Sequence, residues 1–592
     1  MTFQNHSFHI PVMGLGYTVD TPVKVAHLGI SSVISLVDDM LMEKMREFYS
    51  AKFDWPFKAI SSKVEDFRAK RITAYLDLVD KLVHKKCEDL IQGIQKKESE
   101  LEKYFDLLPD SKNLKEKFNK LIDGASLKDV KKWLKENLSP GGIDVNIMTK
   151  LDNARYKDGE QLPTEFNDAH ASLRGFANST LNSSLVLSAG MNPRLYSYLE
   201  HFDAFYPNEK GKLIKKIILK VSDYRSAMVQ GRFLAKKGIW VSEYRIESGL
   251  NCGGHAFASQ GNLLGPILDE FKEKRQELLD ATFKVYQKGL EDKNIAAPES
   301  APEMLITAQG GVGTNEEHDF LIDEYNLDSI GWGSPFMLVP EVCNIDKESL
   351  ELLRKSEEKD LYLSNASPLG VYFNNVKGSS QQIDIQKSVD ENKQGFPCTK
   401  RFLAFNKDYT DVSICTASKQ YLKLRMEELK ASSASSKEIE LETKKLSEKE
   451  CLCEGLTNST YHANKIKPDF SRKGVSICPG PNIAYFKQVV SLKEMVDHIY
   501  GKINLLKDIK RPNLFIKELN MYVEYLEKHL KELKPNEEKQ LAYYRIFKKN
   551  IQDGISYYQN LFSKYEGKLK EMKNGVTAEL ENFNKKLEKI KI

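Results

Sequence analysis

No uninterrupted apolar run in the 592 residues is long enough to span a bilayer, and the opening MTFQNHSFHIPVMGLG lacks a basic start followed by an apolar core. A crossing helix needs about 20 consecutive apolar residues, and a secretory leader needs its charged and apolar parts in that order. The expectation is a soluble, cytoplasmic chain with no membrane partner. Neither sign of charge is in excess: 88 basic residues against 84 acidic leave a net charge of +4. That balance offers no basic footprint for nucleic acid. Cysteine is sparse, at 8 residues, and no CxxC pair occurs. A disulfide-dense secreted scaffold is thereby excluded. What remains is a chain with 41% hydrophobic residues, too many for wholesale disorder, and a length beyond one ordinary core.

Short β-rich runs recur along it. They are FHIPVMGLG, ending near Gly14 and Gly16, SSVISL from Ser31, SLVLSAG from Ser184, HFDAFY from His201, KIILKVSD from Lys216, GIWVSEY from Gly238, EMLITAQGG from Glu303 and DSIGWGS from Asp328. Most are near-continuous apolar runs, the mark of strands buried on both faces of a parallel sheet. Helical patterns separate them. TPVKVAHLG carries Pro22 in its first turn, where proline is tolerated. YRSAMVQGRFLAKKG closes on a glycine, a common terminator. Eight strands with crossover helices predict an α/β fold, a (β/α)8 TIM barrel; a doubly wound open sheet is the alternative, because periodicity does not show closure.

The expected organisation is a first part of the barrel over 1–37, a mainly helical insertion over 38–183 after the second strand, the rest of the barrel over 184–345, a cysteine-containing extension over 346–490 and a helical region over 491–592. The insertion follows a strand's C-terminal end, so it is placed to cover the active face or to stand as an appendage. The last region reads as a helical bundle, a surface for a homo-oligomer, or a solvated appendage.

Two glycine-rich loops lie where a barrel holds phosphate. AQGGVGTNEEHDFL, with Gly310, Gly311, Gly313 and Thr314, follows the seventh strand; GWGSPFML, with Gly333 and Ser334, follows the eighth. Glycine frees backbone N–H groups to face an anion, and a helix N-terminus adds partial positive charge. Ahead of both in the barrel order, after the sixth strand, comes SGLNCGGHAF, which sets His255 behind Gly253 and Gly254. Histidine there is either a base held against a small-molecule substrate or the cap of a tight turn.

The stretches HIPVMGLGYTVDTPVKVAHLG, CGGHAFASQGNLLGPIL, TAQGGVGT and IGWGSPFML occur in the order found in nitronate monooxygenases, the 2-nitropropane dioxygenase family, whose barrel is shared by flavin-dependent enoyl reductases. The chain resembles that family over about 8–36 and 184–342. The resemblance implies an FMN-dependent oxidoreductase. Met13 and Gly14 would border the flavin ring, Gly310, Gly311, Gly333 and Ser334 would hold its phosphate, and Gly254 and Lys220 would lie beside it. His255 would be the catalytic acid–base or substrate-polarising group. Where the family has Glu-Ala-Gly-Gly-His, this chain has SGLNCGGH. An enoyl-type reductase and a flavin-bearing scaffold without turnover are the other readings.

Beyond the barrel, five cysteines crowd together: Cys398, Cys415, Cys451, Cys453 and Cys478. Thiolates suit zinc and iron–sulfur clusters. Cys415, Cys451, Cys453 and Cys478 are therefore candidate ligands for an iron–sulfur cluster or zinc, with His462 as a substitute for one; unliganded buried cysteines are the alternative.

Overall fold

The computed structural model describes residues 5–592 apart from 96–99, 110–112, 189, 392, 394, 471, 534–536 and 565–569. Eight parallel strands close into a barrel: β1 (Phe8–Ile10), β2 (Ser31–Ser35), β3 (Ile143–Met148), β4 (Ser183–Ser188), β5 (Lys215–Val221), β6 (Val241–Glu247), β7 (Leu305–Gln309) and β8 (Ser329–Gly331). Each pairs with its neighbour in sequence, and β1 closes on β8 with His9 opposite Gly331. The open-sheet alternative is thereby set aside, and the chain is a TIM barrel.

Two sequence expectations are corrected. HFDAFY is not a strand; it forms two 3-10 turns, Leu199–His201 and Asp203–Phe205. Its aromatics pack on one another and on Tyr198, with Phe202 edge-on to Tyr198 at 5.2 Å, and that packing outweighs their strand propensity. The third strand lies instead inside the stretch expected to be helical insertion. In β3, IDVNIM, Asp144 and Asn146 interrupt the apolar residues. The pattern hides a strand because the barrel interior is itself polar here. Arg245 Nε donates to Glu243 Oε1 at 2.7 Å and Thr307 Oγ1 donates to the same oxygen at 2.5 Å. Asp144, half-buried near them, is pushed up to about 6 by burial.

The helical insertion therefore ends before Ile143. Its helices include α1 (Asp39–Lys52) and α2 (Phe67–Gln92); α2 packs on α1 and on α3 (Asp168–Ala177), the crossover from β3 to β4. Arg68 on α2 is held by Asp39 at 2.8 Å and Asp168 at 3.5 Å. The crossover after β5, α4 (Tyr224–Ala235), starts under an Asp223 cap and is followed by Gly238 at φ +71.

Two more barrel crossovers, and then the elements beyond the barrel, frame the site. Helix α5 (Leu264–Glu273) follows β6, and α6 (Asn315–Tyr325) follows β7. The extension carries an antiparallel pair, β9 (Leu361–Ser364) and β10 (Phe373–Val376), then α7 (Leu452–Ala463), of which Leu452–Tyr461 are buried throughout. The final region is a bundle of α8 (Leu514–Glu532), α9 (Glu538–Ser563) and α10 (Lys570–Lys589), which packs on α5. Lys400 fastens the extension to the barrel: its ammonium donates to Asp38 Oδ2 at 2.5 Å and to the Cys453 carbonyl at 3.1 Å, and the side chain is 1% exposed. Among the described residues no helix is long and apolar enough to cross a membrane.

Candidate active site

A cavity of about 500 Å³ lies at the C-terminal ends of the strands, the face on which barrels carry their chemistry. His255, Met13, Gly14, Lys220, Gly254, Gly310, Gly311, Gly333 and Ser334 all line it. The insertion does not: among the described residues, none between 38 and 142 reaches the wall. The cover comes from the extension, through Phe373, Phe402, Leu403, Leu456, Gly480 and Asn482 among others.

Three strand ends supply the floor. Lys220 Nζ, at the end of β5, pairs with Glu247 Oε2 of β6 at 2.7 Å. Gln309 of β7 donates from Nε2 to Glu247 Oε1 at 2.7 Å, and its own Oε1 is buried with no partner. The Asn251 and Asn146 Oδ1 atoms are in the same condition, and both residues line the cavity. Buried acceptors of this kind are rare unless a ligand or water completes them.

The loop after β6 is stitched to the extension. The Gly254 N–H donates to the Cys478 carbonyl at 3.2 Å, the Ala256 N–H to the Tyr372 carbonyl at 2.9 Å, and the Asn374 N–H to the Gly254 carbonyl at 2.9 Å. A Cβ on Gly253 would lie 2.6 Å from the Cys478 carbonyl oxygen. This glycine therefore serves approach to the chain's own extension rather than to a ligand. Gly254 is different: it sits at φ +75 with open space where a Cβ would be. The His255 Nε2 lies 2.7 Å from Ser367 Oγ, and burial lowers its pKa to about 4. Its imidazole is neutral at physiological pH. It is thus a hydrogen-bonding group rather than a proton acceptor of ordinary histidine strength.

The loop after β7 turns through Gly310 at φ +131 and Gly311 at φ +78. A Cβ on Gly311 would lie 2.0 Å from Asn251 Nδ2. Among the described residues the N–H groups of Gly311, Val312 and Gly333 find no protein acceptor. Ser334 Oγ accepts from the Gly480 N–H at 2.7 Å, leaving its own proton free. These donors form a cradle suited to a phosphate. The start of α6 does not add to it as the sequence suggests. Glu317 folds back to accept from the Gly313 N–H at 2.9 Å, and Arg511 holds Glu317 at 2.7 Å. The positive end of that helix is thus occupied by the protein's own carboxylate.

The metal expectation is corrected. Among the described residues no three of His, Cys, Asp and Glu are grouped as a metal would need. Cys453 and Cys478 line the cavity; Cys415 and Cys451 do not. Cys478 packs against the backbone at Gly14 and Gly254, and its thiol is pushed up to about 12 by burial. Cys451 is pushed up to about 12 as well. Cys415 packs beside Cys398, and His462 Nε2 lies 2.8 Å from the Lys473 carbonyl. Spacing in sequence brought these residues near one another without turning their ligating atoms to one point.

Glu247, Gln309, Asn251 and Arg511 escaped the sequence reading. A carboxylate ending a β-run at Glu247 was the available signal. For Arg511, which reaches the β7 loop from far along the chain, there was none.

No family model matches the chain, and no curated protein matches it. Among solved structures, the enoyl reductase domain of MlnA from the macrolactin biosynthesis cluster of Bacillus amyloliquefaciens is similar at 14% identity, covering 66% of this chain and 86% of that one, with a TM-score of 0.34. A point mutant of FabK from Thermotoga maritima is similar at 11% identity over 67% of this chain and 83% of that one, with a TM-score of 0.30. At these values the two likenesses carry no argument about chemistry, and the assignment as a TIM barrel stands on the observed strand pairing.

Proposed function

We propose that the chain is an FMN-dependent oxidoreductase of nitronate-monooxygenase type, acting on a small organic substrate. One observation carries this reading. The two glycine loops with unspent N–H groups, the orphaned acceptors and His255 converge on a single cavity of about 500 Å³, within the roughly 300–1,000 Å³ usual for cofactor and small-ligand sites. The residues fit the cofactor: the N–H groups of Gly311, Val312 and Gly333 and the Ser334 hydroxyl would hold its phosphate, and Met13 and Gly14 would border its ring. Bound FMN supplies a ring that takes up or gives back two electrons.

The chain's own groups do the rest. Glu247 holds Lys220 in place and neutralises it, so the floor is polar without net charge. The Leu369 N–H donates to Ser367 Oγ at 3.2 Å, which leaves the Ser367 proton for His255 Nε2. Nδ1 then carries the imidazole proton and donates it to a substrate oxygen, polarising the neighbouring carbon. A reductive reading of enoyl type is favoured by one feature. The Cys478 thiol, protonated and on the cavity wall, is a proton donor such a reaction needs. Purified protein should contain one FMN per chain, released on denaturation. It should turn over a nitronate in air rather than oxidise NAD(P)H with an enoyl thioester. Colourless protein that FMN does not reconstitute would overturn the reading.

A further inference from the structure

All eight cysteines are free thiols, and two of them touch. Cys398 packs half-buried against a small cluster of Ala404, Cys415 and Ala417, and its side chain is hydrogen-bonded to that of Cys415. Its chemistry differs from its neighbours'. Burial pushes up the thiols of Cys87, Cys252, Cys343, Cys451, Cys453 and Cys478. Cys398 is pulled down to about 7, first by the hydrogen bond from Cys415 and then by the backbone and charge of Arg401, against burial and the charge of Glu454. Cys415 moves the other way, because its proton is committed to Cys398. A half-buried thiol drawn toward ionisation, packed on a buried thiol that keeps its proton, has the parts of a thiol–disulfide exchange couple: the accessible sulfur attacks and the buried one resolves.

We propose that Cys398 and Cys415 form a redox-active dithiol that reacts with small disulfides. The Cys398 thiolate attacks one sulfur of the disulfide RSSR. A new S–S bond forms, the original one breaks, and RS⁻ leaves and takes up the proton released by Cys398. Cys415 then gives up its proton and attacks the Cys398 sulfur of the mixed disulfide, expelling the second RS⁻, which that proton neutralises. The balance is one small disulfide reduced to two thiols and one protein dithiol oxidised by two electrons. The chain between the two sulfurs contains Phe402 and Leu403, which line the cavity. It also contains Lys400, anchored to Asp38, the Cys453 carbonyl and the Thr457 hydroxyl. Oxidation therefore closes a covalent ring around a segment of the cavity wall. This inference goes beyond the flavin reading and does not depend on it.

The test uses the whole protein, reduced, freed of reductant and exposed to oxidised glutathione. Alkylation, digestion without reduction and mass spectrometry then read the products. A Cys398–Cys415 linked peptide that dithiothreitol separates is expected. In Cys415→Ser the first step should stop at a stable glutathione adduct on Cys398, and Cys398→Ser should show neither link nor adduct at Cys415. The proposal is overturned by an alkylated, unlinked Cys398 in the parent, by a link from Cys398 to Cys451 or Cys453, or by Cys415→Ser without an adduct.

Discussion

Replacing Arg511, which does not itself line the cavity, by alanine is expected to unsettle the glycine loop after β7. The guanidinium donates from Nε to Asn482 Oδ1 at 2.8 Å, from Nη1 to Glu317 Oε1 at 2.7 Å and from Nη2 to the Gly311 carbonyl at 2.5 Å. The Arg511 and Glu317 side chains are 6% and 4% exposed. Removing one partner of a buried ion pair leaves a charge without compensation and typically costs about 3–5 kcal/mol. Here Glu317 keeps the N–H groups of Gly313 at 2.9 Å and Leu514 at 2.7 Å. The lower end applies, about 3 kcal/mol, or about 150-fold in the unfolding equilibrium. Urea unfolding measures that loss, and quenching of FMN fluorescence measures the accompanying loss of cofactor affinity. In the Arg511→Ala background, Glu317→Gln removes the stranded charge and should restore part of the stability, although alone it should destabilise. A loss under about 1 kcal/mol, the range of exposed pairs, together with additive effects in the double variant, would refute this account of the loop.

Four other outcomes are expected. His255→Asn should keep the flavin spectrum and lower substrate-dependent flavin reduction by about a hundred- to a thousand-fold, the usual loss of one polarising hydrogen-bond donor; loss of the flavin would make His255 a cofactor contact instead. Because burial holds His255 near 4, rates should show no limb from this group near its ordinary value of about 6.5; a limb there that vanishes in His255→Asn would contradict the neutral-imidazole role. Gly311→Val should yield folded but colourless protein, since its Cβ would fall 2.0 Å from Asn251 Nδ2 at a backbone φ of +78. Glu518 on α8 accepts from Ser248 Oγ and the Leu264 N–H and is raised to about 7 by burial. The folded state thus holds its proton more tightly than the unfolded one. This contribution to stability is complete below the ordinary carboxyl pKa and is lost as pH rises through about 7. The amount is up to about 3 kcal/mol at 1.36 kcal/mol per unit, and Glu518→Gln should flatten that slope in denaturation curves recorded across the range.

The barrel was legible where its strands are apolar on both faces. KKIILKV and LITAQ each announce themselves, and the glycine-rich loops that follow β6, β7 and β8 are readable in their order. The third strand was not legible, because Asp144 and Asn146 meet a polar barrel interior that only the assembled fold creates. HFDAFY misled for the opposite reason: its aromatics satisfy one another locally and need no sheet. Within the site, the residues on the glycine loops and His255 were visible, while the contacts that hold them were not. Ser367, Asn482, Arg511 and Glu518 act on those loops through long-range packing, which leaves no local periodicity to read. The cysteine cluster shows the same limit, since proximity in sequence carries no information about where each sulfur points.

The pairing of β1 with β8 has a consequence for the order in which the molecule is made. Phe8–Ile10 emerges from the ribosome first and waits for Ser329–Gly331 before the barrel closes. The cover over its mouth, with Phe373, α7 and Asn482, is translated only after that. At about 5–20 residues per second, the roughly 150 residues from β8 to Asn482 take on the order of eight to thirty seconds. If the barrel closes as soon as β8 has emerged, its mouth stands uncovered during that interval. A ligand as large as the cavity meets its widest entrance then, so loading during synthesis should be faster than loading of the finished protein.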